Sequence, residues 1–226
     1  MKFGIFSDVH GNLQALNAVL DHMSSFKLDK TVCLGDVVNY GANSKECLEL
    51  VLKETDHLIR GNHEQAMLDQ DYSRFSTQRG KDALDETIKS IPSTLRHKVG
   101  LYFEDFKLFM VDGLTIMMCH SSKEDFWKNP LDDDLSYEYD YVISGHTHFP
   151  LIQGRKKNGK VTKFLNPGSV GQPRDQNPRA SWMLFDTETG SVQIHRVEYD
   201  VEEAQRLILD KTRVHHYYAD RLAKGN

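Results

Sequence analysis

The sequence predicts a mixed α/β fold in which two β-sheets pack together and are covered by helices. Two observations lead to this prediction. In the first half of the chain, short apolar runs alternate with segments of helical periodicity, whereas in the second half the apolar runs pair across turn residues. The chain has no repeat of fixed period and no low-complexity tract, which excludes repeat architectures.

The first half consists of predicted strand and helix units. Residues 2–7 form a short apolar run typical of a buried strand, and apolar residues then recur at helical spacing after Asn12, a favourable N-cap. Asn43 and Glu46 resemble a capping box that would begin a second helix. The other elements predicted here are strands at 31–34 and 57–59 and a helix at 81–91, which Pro92 ends.

The second half is predicted to be rich in strands. Two pairs of apolar runs flank Asp112-Gly113 and Asn158-Gly159, which are typical hairpin turns. Asp200 with Glu203 indicates the start of a final helix whose apolar residues share one face. The predicted hairpins cover 107–119 and 151–165, and single strands are predicted at 141–144, 182–185 and 192–197.

Length and cysteine content limit the architecture. A chain of 226 residues is long enough to bury a core without disulfides, and we predict a single domain over residues 1–226. Three cysteines without Cys-x-x-Cys spacing argue against a disulfide framework or a cysteine zinc site. Cys33 and Cys119 are instead predicted to be core residues of strands.

Charge and hydropathy exclude several classes of function. Lys and Arg number 28 against 33 Asp and Glu, a net charge of −5, which disfavours binding to nucleic acid or to an anionic membrane. No apolar stretch approaches the roughly 18 to 20 residues that a membrane helix requires. The N-terminus turns polar too soon for a signal peptide, so a cytoplasmic protein is expected.

Five polar clusters, each directly after an apolar strand, are the main functional signal. Because ligands bind beyond the carboxyl ends of the strands in open α/β sheets, we expect these clusters to converge on one site. Asp8 and His10 are two residues apart, as are His146 and His148. An extended backbone would place both side chains of each pair on the same side of the chain. The clusters are Asp8-Val9-His10, Gly35-Asp36, Gly61-Asn62-His63-Glu64, His120-Ser121 and Gly145-His146-Thr147-His148.

The donor atoms in these clusters predict a metal site. Taken singly, each cluster is typical of a turn or a helix cap, but five in this order make coincidence improbable. Carboxylate, imidazole and amide oxygen suit divalent first-row metals, namely manganese, iron, zinc, cobalt or nickel. Calcium and magnesium sites, by contrast, consist almost wholly of oxygen.

In these motifs the sequence resembles the calcineurin-like metallophosphoesterases over residues 1 to about 175, and its 166–174 loop is similar to that of the bacterial phosphodiesterase-like branch. The resemblance implies a four-layer αββα sandwich of two mixed β-sheets flanked by helices, the metallo-dependent phosphatase fold. It also implies two divalent ions per chain, with manganese favoured, and hydrolysis of a phosphoric ester by a hydroxide that bridges them.

The same resemblance implies a role for each residue of the site. One ion would be held by Asp8, His10 and His148, the other by Asn62, His120 and His146, and Asp36 would bridge them. A carboxylate suits the bridge because its two oxygens can bind two cations and offset their charge. His63 would be the catalytic residue at the phosphate, either as a general acid or as a stabiliser of charge.

Departures from the family pattern bear on the substrate. The protein phosphatases and symmetrical dinucleoside tetraphosphate hydrolases of the family carry Gly-Asp-x-Val-Asp-Arg-Gly, where this chain has Asn39 and Tyr40 in place of Asp and Arg. Tyr40 cannot reproduce the bidentate grip of a guanidinium on a phosphate, and Asn39 gives His63 only a neutral partner. The arginine that usually follows Gly-Asn-His-Glu is replaced by Gln65-Ala66-Met67. Weak capture of phosphomonoester dianions is therefore expected.

These features favour hydrolysis of phosphodiesters or small nucleotides. The expected partner is a small phosphorylated, nucleotide-like substrate, with no membrane or nucleic acid involved, and the oligomeric state is left open. The alternatives are a phosphomonoesterase similar to protein serine/threonine phosphatases, a dinucleoside polyphosphate hydrolase, a non-catalytic metal-dependent scaffold, and a nuclease. Arg174 and Arg179 are secondary candidates for gripping a distal phosphate, and the acidic run at 132–134 is predicted to be surface.

Overall fold

A computed structural model describes residues 1–122, 129–132 and 134–226. Asp133, part of the acidic run predicted to be surface, lies outside the described residues. The strands are β1 Lys2–Phe6, β2 Lys30–Cys33, β3 His57–Ile59, β4 Phe103–Glu104, β5 Phe106–Val111, β6 Leu114–Cys119, β7 Tyr141–Ser144, β8 Pro150–Lys157, β9 Lys160–Pro167, β10 Ala180–Asp186 and β11 Ser191–Val197. The helices are α1 Leu13–Ser24, α2 Ser44–Glu54, α3 Asn62–Asp69, α4 Gln78–Ser90, α5 Ser93–Tyr102, α6 Val201–Lys211 and α7 Tyr217–Asp220, with 3₁₀ turns at Pro130–Asp132 and Asp134–Glu138.

Two mixed sheets form the centre of the fold. The first has the order β11-β10-β1-β2-β3-β4, with β1 to β4 parallel and β10 antiparallel to both β1 and β11. The second has the order β5-β6-β7-β9-β8, in which β6, β7 and β9 are parallel and the two predicted hairpins form the edges. Parallel neighbours end at the same side of a sheet, so the loops that follow them lie close together.

Side chains of β1 alternate between two apolar layers. Phe3 and Ile5 pack between the sheets, in one cluster with Ile116 of β6, while Phe6 packs with Leu16 of α1 on the helical side. The first sheet is therefore buried on both faces, as its parallel centre requires. The predicted fold class is confirmed: the chain forms two mixed β-sheets flanked by helices.

Most predicted elements are confirmed, but one predicted cap is wrong. Asn12 accepts a hydrogen bond from the Ala15 N–H at 3.1 Å at the start of α1, as predicted. Helix α2 begins at Ser44, yet the Asn43 side chain does not cap it, and its Oδ1 has no hydrogen-bond partner among the described residues. The ψ of 40° at Asn43 differs from the extended backbone that aims an N-cap side chain at the first turn.

Two further expectations concern cysteines and membrane spans. Cys33 and Cys119 are buried in β2 and β6, as predicted, and Cys47 is buried in α2, and none of the three forms a disulfide with a described residue. None of the helices in the described part of the chain combines the length and the apolar character needed to span a bilayer.

Candidate metal centre

The loops that follow five strands meet at one place. Asp8 and His10 follow β1, Asp36 follows β2, Asn62 and His63 begin α3 after β3, His120 follows β6, and His146 and His148 follow β7. All of these residues are buried except His146, which is half-buried. The structure thus brings together every side chain that the sequence predicts for the site, from both sheets.

The backbone that aims these side chains is not extended, contrary to the sequence prediction. Asp8 and His10 have φ angles of 56° and 47°, and His146 and His148 have φ angles of 68° and 63°, all in the left-handed region. The Asp8 N–H donates to the Gly35 carbonyl at 2.9 Å and so ties the loop after β1 to the loop after β2. The paired ligands converge because left-handed residues turn the chain, and not because alternate strand residues share a face.

Two motif glycines allow the backbone to approach the site carboxylates. A Cβ atom at Gly61 would overlap the Asp36 carboxylate, and one at Gly145 would overlap the Ser7 hydroxyl and crowd Asp8. Any larger residue would therefore push these loops away from the aspartates.

Asp8, His10 and His148 form the first group of possible ligands. One ligand atom from each lies within 4.8 Å of the other two. His148 Nε2 lies 3.2 Å from Asp8 Oδ1 and 3.1 Å from His10 Nε2. Asp8 Oδ1 is buried and has no hydrogen-bond partner among the described residues. A carboxylate oxygen and two imidazole nitrogens therefore point at a common space.

Asp36, His120 and His146 form the second group, to which Asn62 adds an amide oxygen. His120 Nε2 lies 3.1 Å from Asp36 Oδ2 and 3.0 Å from Asn62 Oδ1. His146 Nδ1 lies 2.9 Å from the same Asn62 oxygen. Since Asp36 Oδ2 also lies 3.8 Å from His10 Nε2, the Asp36 carboxylate faces both groups.

Three of the histidines are held in a single tautomer by the backbone. Because a carbonyl can only accept, each Nδ1 must donate its proton, and each Nε2 then presents a lone pair when the ring is neutral. Metal-binding histidines are oriented in this way. The Nδ1 atoms of His10, His120 and His148 lie 3.1, 2.7 and 2.6 Å from the carbonyl oxygens of Val38, Leu34 and Gln172.

This set of donors fits divalent transition metals. In the neutral tautomers, the lone pairs of His10 Nε2 and His148 Nε2 face each other at 3.1 Å, an arrangement that a shared cation stabilises. The buried carboxylates also require positive charge. The requirement of Asp36 for positive charge also shifts the pKa of His120. Burial lowers this pKa, but the Asp36 charge outweighs burial and raises the His120 pKa to about 9.

Both site aspartates remain ionised in spite of their burial. Burial opposes ionisation of Asp36, but the charges of His120 and His63 outweigh it and hold the Asp36 pKa well below its ordinary value. Burial likewise opposes ionisation of Asp8, but the nearby charge of His148 outweighs it and lowers the Asp8 pKa. The centre therefore presents two negative charges to a bound cation.

His63 lies against the Asp36 carboxylate, with its Nε2 3.8 Å from Asp36 Oδ2. On the other side of the ring, His63 Nδ1 lies 2.8 Å from Asn39 Nδ2. The Tyr40 N–H donates to Asn39 Oδ1 at 2.8 Å, so Asn39 presents its NH₂ group to His63, and His63 Nδ1 accepts. The proton of the neutral ring is consequently on Nε2, toward Asp36, and burial lowers the pKa of His63 to about 4.

Glu64 fastens the Asp36 loop to the start of α3. Its carboxylate accepts hydrogen bonds from the backbone N–H groups of Asp36, Val37, Val38 and Gly61 at 2.8, 2.8, 3.1 and 2.9 Å. Burial and the Asp36 charge raise the pKa of Glu64 to about 7, against the effect of these hydrogen bonds. All of its described hydrogen bonds go to the backbone, so it positions Asp36 rather than facing a substrate.

Sequence reasoning missed one wall of the site, which the C-terminal segment supplies. The Tyr40 ring packs against His10 and His63, with ring centroids 4.9 and 4.8 Å apart. On its other side it stacks on Tyr218 of α7 at 4.4 Å. Arg221 follows on the same segment. No motif marks these C-terminal residues, so only the stacking of Tyr218 on Tyr40 and the contact of Arg221 with Gln172 reveal them.

Of the two loop arginines singled out from the sequence, only Arg174 lies near the centre. Arg174 Nη2 donates to the side-chain oxygen Oε1 of Gln172 at 3.3 Å. The main-chain oxygen of the same Gln172 accepts the Nδ1 proton of His148. Arg179 is exposed, and its described hydrogen bonds are with Asn177 and Arg196 rather than with any residue of the centre.

Comparison with known proteins places these motifs in a family context. Residues 1–190 match the model of the calcineurin-like phosphoesterase superfamily domain. An uncharacterized protein of Methanocaldococcus jannaschii is 33% identical over 98% of this chain and 97% of its own length. The phosphodiesterase YfcE of Escherichia coli is 27% identical over 85% of this chain and 91% of its own. The crystal structure of a metallophosphoesterase from Sphaerobacter thermophilus has a TM-score of 0.83 and 27% identity, covering 100% of this chain and 99% of that one.

Proposed function

The chain belongs to the calcineurin-like phosphoesterase superfamily, and from that premise we propose that it is a phosphodiesterase acting on small, nucleotide-like diesters at a binuclear metal centre. The activity is assigned to one domain spanning residues 1–226. The observation that carries the proposal is the convergence of two groups of metal-binding side chains on one carboxylate, that of Asp36.

We assign the ligands of the two ions by these groups. When bound, two divalent ions, with manganese favoured, lower the pKa of a coordinated water and neutralise charge on the phosphoryl oxygens. Asp36 faces both groups, and its carboxylate would offset the charge of both cations. Asp8, His10 and His148 would hold one ion, and Asn62, His120 and His146 the other.

His63 is positioned to donate a proton or a hydrogen bond. Its Nε2–H is directed toward Asp36, while Asn39 holds the opposite nitrogen of the ring. The leaving alkoxide of an unactivated ester needs a proton as the bond to phosphorus breaks. The fixed tautomer of His63 therefore suits a general acid, or a donor to a phosphoryl oxygen.

The preference for diesters follows from the charge near the centre. Tyr40 and Gln65-Ala66-Met67 stand where the phosphatases of the family carry arginines, so at these two positions a phosphomonoester dianion finds less positive charge. A diester monoanion needs less of it. The Escherichia coli relative is named a phosphodiesterase, which supports this preference.

Hydrolysis of bis-p-nitrophenyl phosphate by manganese-loaded protein tests the proposal. We expect turnover that EDTA abolishes and that added manganese restores. With one metal at one pH, the kcat/KM for a nucleotide diester should exceed that for a phosphoserine peptide by at least about tenfold, or about 1.4 kcal/mol. Efficient phosphopeptide hydrolysis with negligible diesterase activity would support a phosphomonoesterase instead. No turnover of any ester by fully loaded protein would support a non-catalytic scaffold.

A further inference from the structure

Two arginines from distant parts of the chain meet beside the candidate metal centre. Arg174 lies in the loop after β9, and Arg221 follows α7. Arg174 Nη2 and Arg221 Nη1 donate to the same atom, Oε1 of Gln172, at 3.3 and 3.2 Å. Gln172 is only 2% exposed. A buried side chain therefore holds two guanidinium groups side by side.

No acidic side chain in the described residues neutralises this pair. Among the described residues, neither guanidinium forms an ion pair with a carboxylate side chain. Asp175, next to Arg174, is paired with Arg196, and Asp220, next to Arg221, is paired with His216. Arg221 Nε donates to the main-chain oxygen of Asn226, which leaves its Nη1 atom directed at Gln172. Arg174 Nε is buried and has no hydrogen-bond partner among the described residues. Two like charges in contact with one oxygen repel each other, and an anion held between them would remove that repulsion. Burial, followed by the charge of Arg174, lowers the pKa of Arg221.

Short contacts connect the arginine pair to the centre. The main-chain oxygen of Gln172 accepts the Nδ1 proton of His148 at 2.6 Å. His148 directs its Nε2 toward Asp8 and its Nδ1 toward Gln172. The arginines that contact Gln172 are therefore on the Nδ1 side of His148, beside the group formed by Asp8, His10 and His148 rather than within it. Burial raises the pKa of the Tyr40 hydroxyl, and the charges of the two arginines oppose this rise, so they lie near the ring that packs on His10.

We propose that Arg174 and Arg221 bind a second phosphate group of the substrate, next to the phosphodiester that is hydrolysed. This inference rests on the proposed phosphodiesterase function and names its substrate class: a phosphodiester that carries a further phosphate. Guanidinium groups bind phosphate oxygens in a bidentate manner, and a pair of them matches a dianion. Arg221 lies beyond residue 190, where the family match ends, so this subsite includes a part of the chain outside that match.

The kinetic test compares two substrates that differ by one phosphate. The substrates are adenylyl adenosine and its 5′-phosphorylated form, both with manganese-loaded protein. For the wild type we expect kcat/KM to be about tenfold or more higher for the phosphorylated dinucleotide, because charge-assisted hydrogen bonds to the extra phosphate contribute about that factor. Diadenosine tetraphosphate is tested as a third substrate. In this molecule the extra phosphate is linked directly to the phosphate that is attacked, as part of a polyphosphate chain.

The variants Arg221→Gln and Arg174→Gln should bring the ratio of the two kcat/KM values close to one. Arg179→Gln is the matched control, because this exposed arginine of the same loop contacts neither Gln172 nor the centre, and it should keep the wild-type ratio. Arg221→Lys, which keeps the charge but loses the planar fork, should give an intermediate ratio. Unchanged thermal unfolding midpoints would show that the variants remain folded. If Arg221→Gln and Arg174→Gln lowered kcat/KM for the tetraphosphate but not for the phosphorylated dinucleotide, the second phosphate would be identified as part of a polyphosphate.

A binding measurement keeps the inference separate from catalysis. Adenosine 3′,5′-bisphosphate should bind manganese-loaded wild type more tightly than adenosine 3′-monophosphate, and Arg221→Gln should lose most of this difference. If the wild type cleaves no diester but shows this difference, the proposed function fails and the anion subsite stands. If the wild type shows no preference for the extra phosphate in either assay, or if both arginine variants keep it, the inference is overturned.

Discussion

Five of the seven side chains assigned to the metal ions lie on strained backbone. Asp8, His10, Asp36, His146 and His148 all have φ between 47° and 68°. A residue other than glycine in such a region costs about 1 kcal/mol or more, although Asp, Asn and His tolerate it better than most. The surrounding hydrogen bonds must hold this geometry. An Asp-to-Asn change at these positions therefore alters charge without adding backbone strain.

Asp36→Asn should cause the loss of at least one manganese ion per chain. The amide keeps the shape and the left-handed backbone of Asp36 but removes the negative charge that faces both groups, so two cations are left poorly compensated. Elemental analysis after gel filtration measures the metal content. Asp21→Asn, at an exposed position of α1, is the control and should retain the wild-type content. A full complement of metal in Asp36→Asn would contradict the bridging role.

His63→Ala should retain both ions and lower turnover. If His63 donates a proton to the leaving oxygen, the loss on an alkyl diester should be about a hundredfold or more and should shrink for p-nitrophenyl esters, which need little protonation. His97→Ala, on the exposed face of α5, provides the control. Equal losses on both esters would assign His63 to stabilisation of charge.

At the scale of elements, the centre depends on how α3 is joined to the loop after β2. Glu64 is in the first turn of α3, and three of its four backbone partners are in that loop. This carboxylate therefore fixes the position of Asp36 relative to Asn62 and His63. A helix only eight residues long thereby places residues assigned to both metal binding and catalysis.

Glu64→Gln should destabilise the chain and weaken metal binding. At about pH 8 the Glu64 carboxylate is ionised, since its pKa is about 7. The glutamine NH₂ group would meet backbone N–H donors, which should cost about 1–3 kcal/mol. Thermal unfolding and manganese titration measure the two effects. Glu46→Gln, in the exposed first turn of α2, should change neither, and wild-type stability of Glu64→Gln would exclude the fastening role.

Elements with strong local signals were predictable from the sequence, and those that depend on packing were not. Helix α1 and the two hairpins have clear periodicity and turn residues, whereas the short, mostly polar α3 and the helix α5 directly after Pro92 do not. The convergence of the polar clusters follows from the parallel strands that precede them. Their left-handed backbone and the place of Arg221 arise from tertiary contacts, which no local pattern encodes.

At the scale of the whole molecule, metal binding should stabilise the fold. The two buried aspartates and their histidines are rigid in the folded chain and dispersed in the unfolded one, so the folded state binds manganese preferentially. At a free concentration of 100 times Kd, one site adds about 2.7 kcal/mol. For a chain of this length that raises the midpoint of thermal unfolding by about 5 °C or more. Asp36→Asn should show a smaller rise, and an equal rise would place the stabilising ion elsewhere.

The metal-free chain should be most stable near pH 6.5, because its histidines are perturbed in opposite directions. Burial lowers the pKa values of His63 and His146 to about 4, against about 6.5 in an unfolded chain. The unfolded chain then binds more protons, and stability is lost as pH falls from about 6.5 toward 4. The His120 pKa of about 9 acts in the opposite sense: its contribution is complete below about pH 6.5 and is lost as pH rises toward 9.

Manganese should reduce the alkaline part of this profile. A bound ion would take the place of the proton on His120 Nε2, so the folded chain would no longer hold that extra proton between about pH 6.5 and 9. Unfolding midpoints across this range, with EDTA and with manganese, measure the difference. His120→Asn should show a smaller decline between about pH 6.5 and 8 than the wild type even without metal, because it lacks the titrating ring. The raised pKa values of Glu64 and of the buried Cys33 and Cys47 thiols still contribute to the decline. A decline of wild-type size in His120→Asn between about pH 6.5 and 8 would assign it to another group and remove the argument that a proton occupies the place of a cation beside Asp36.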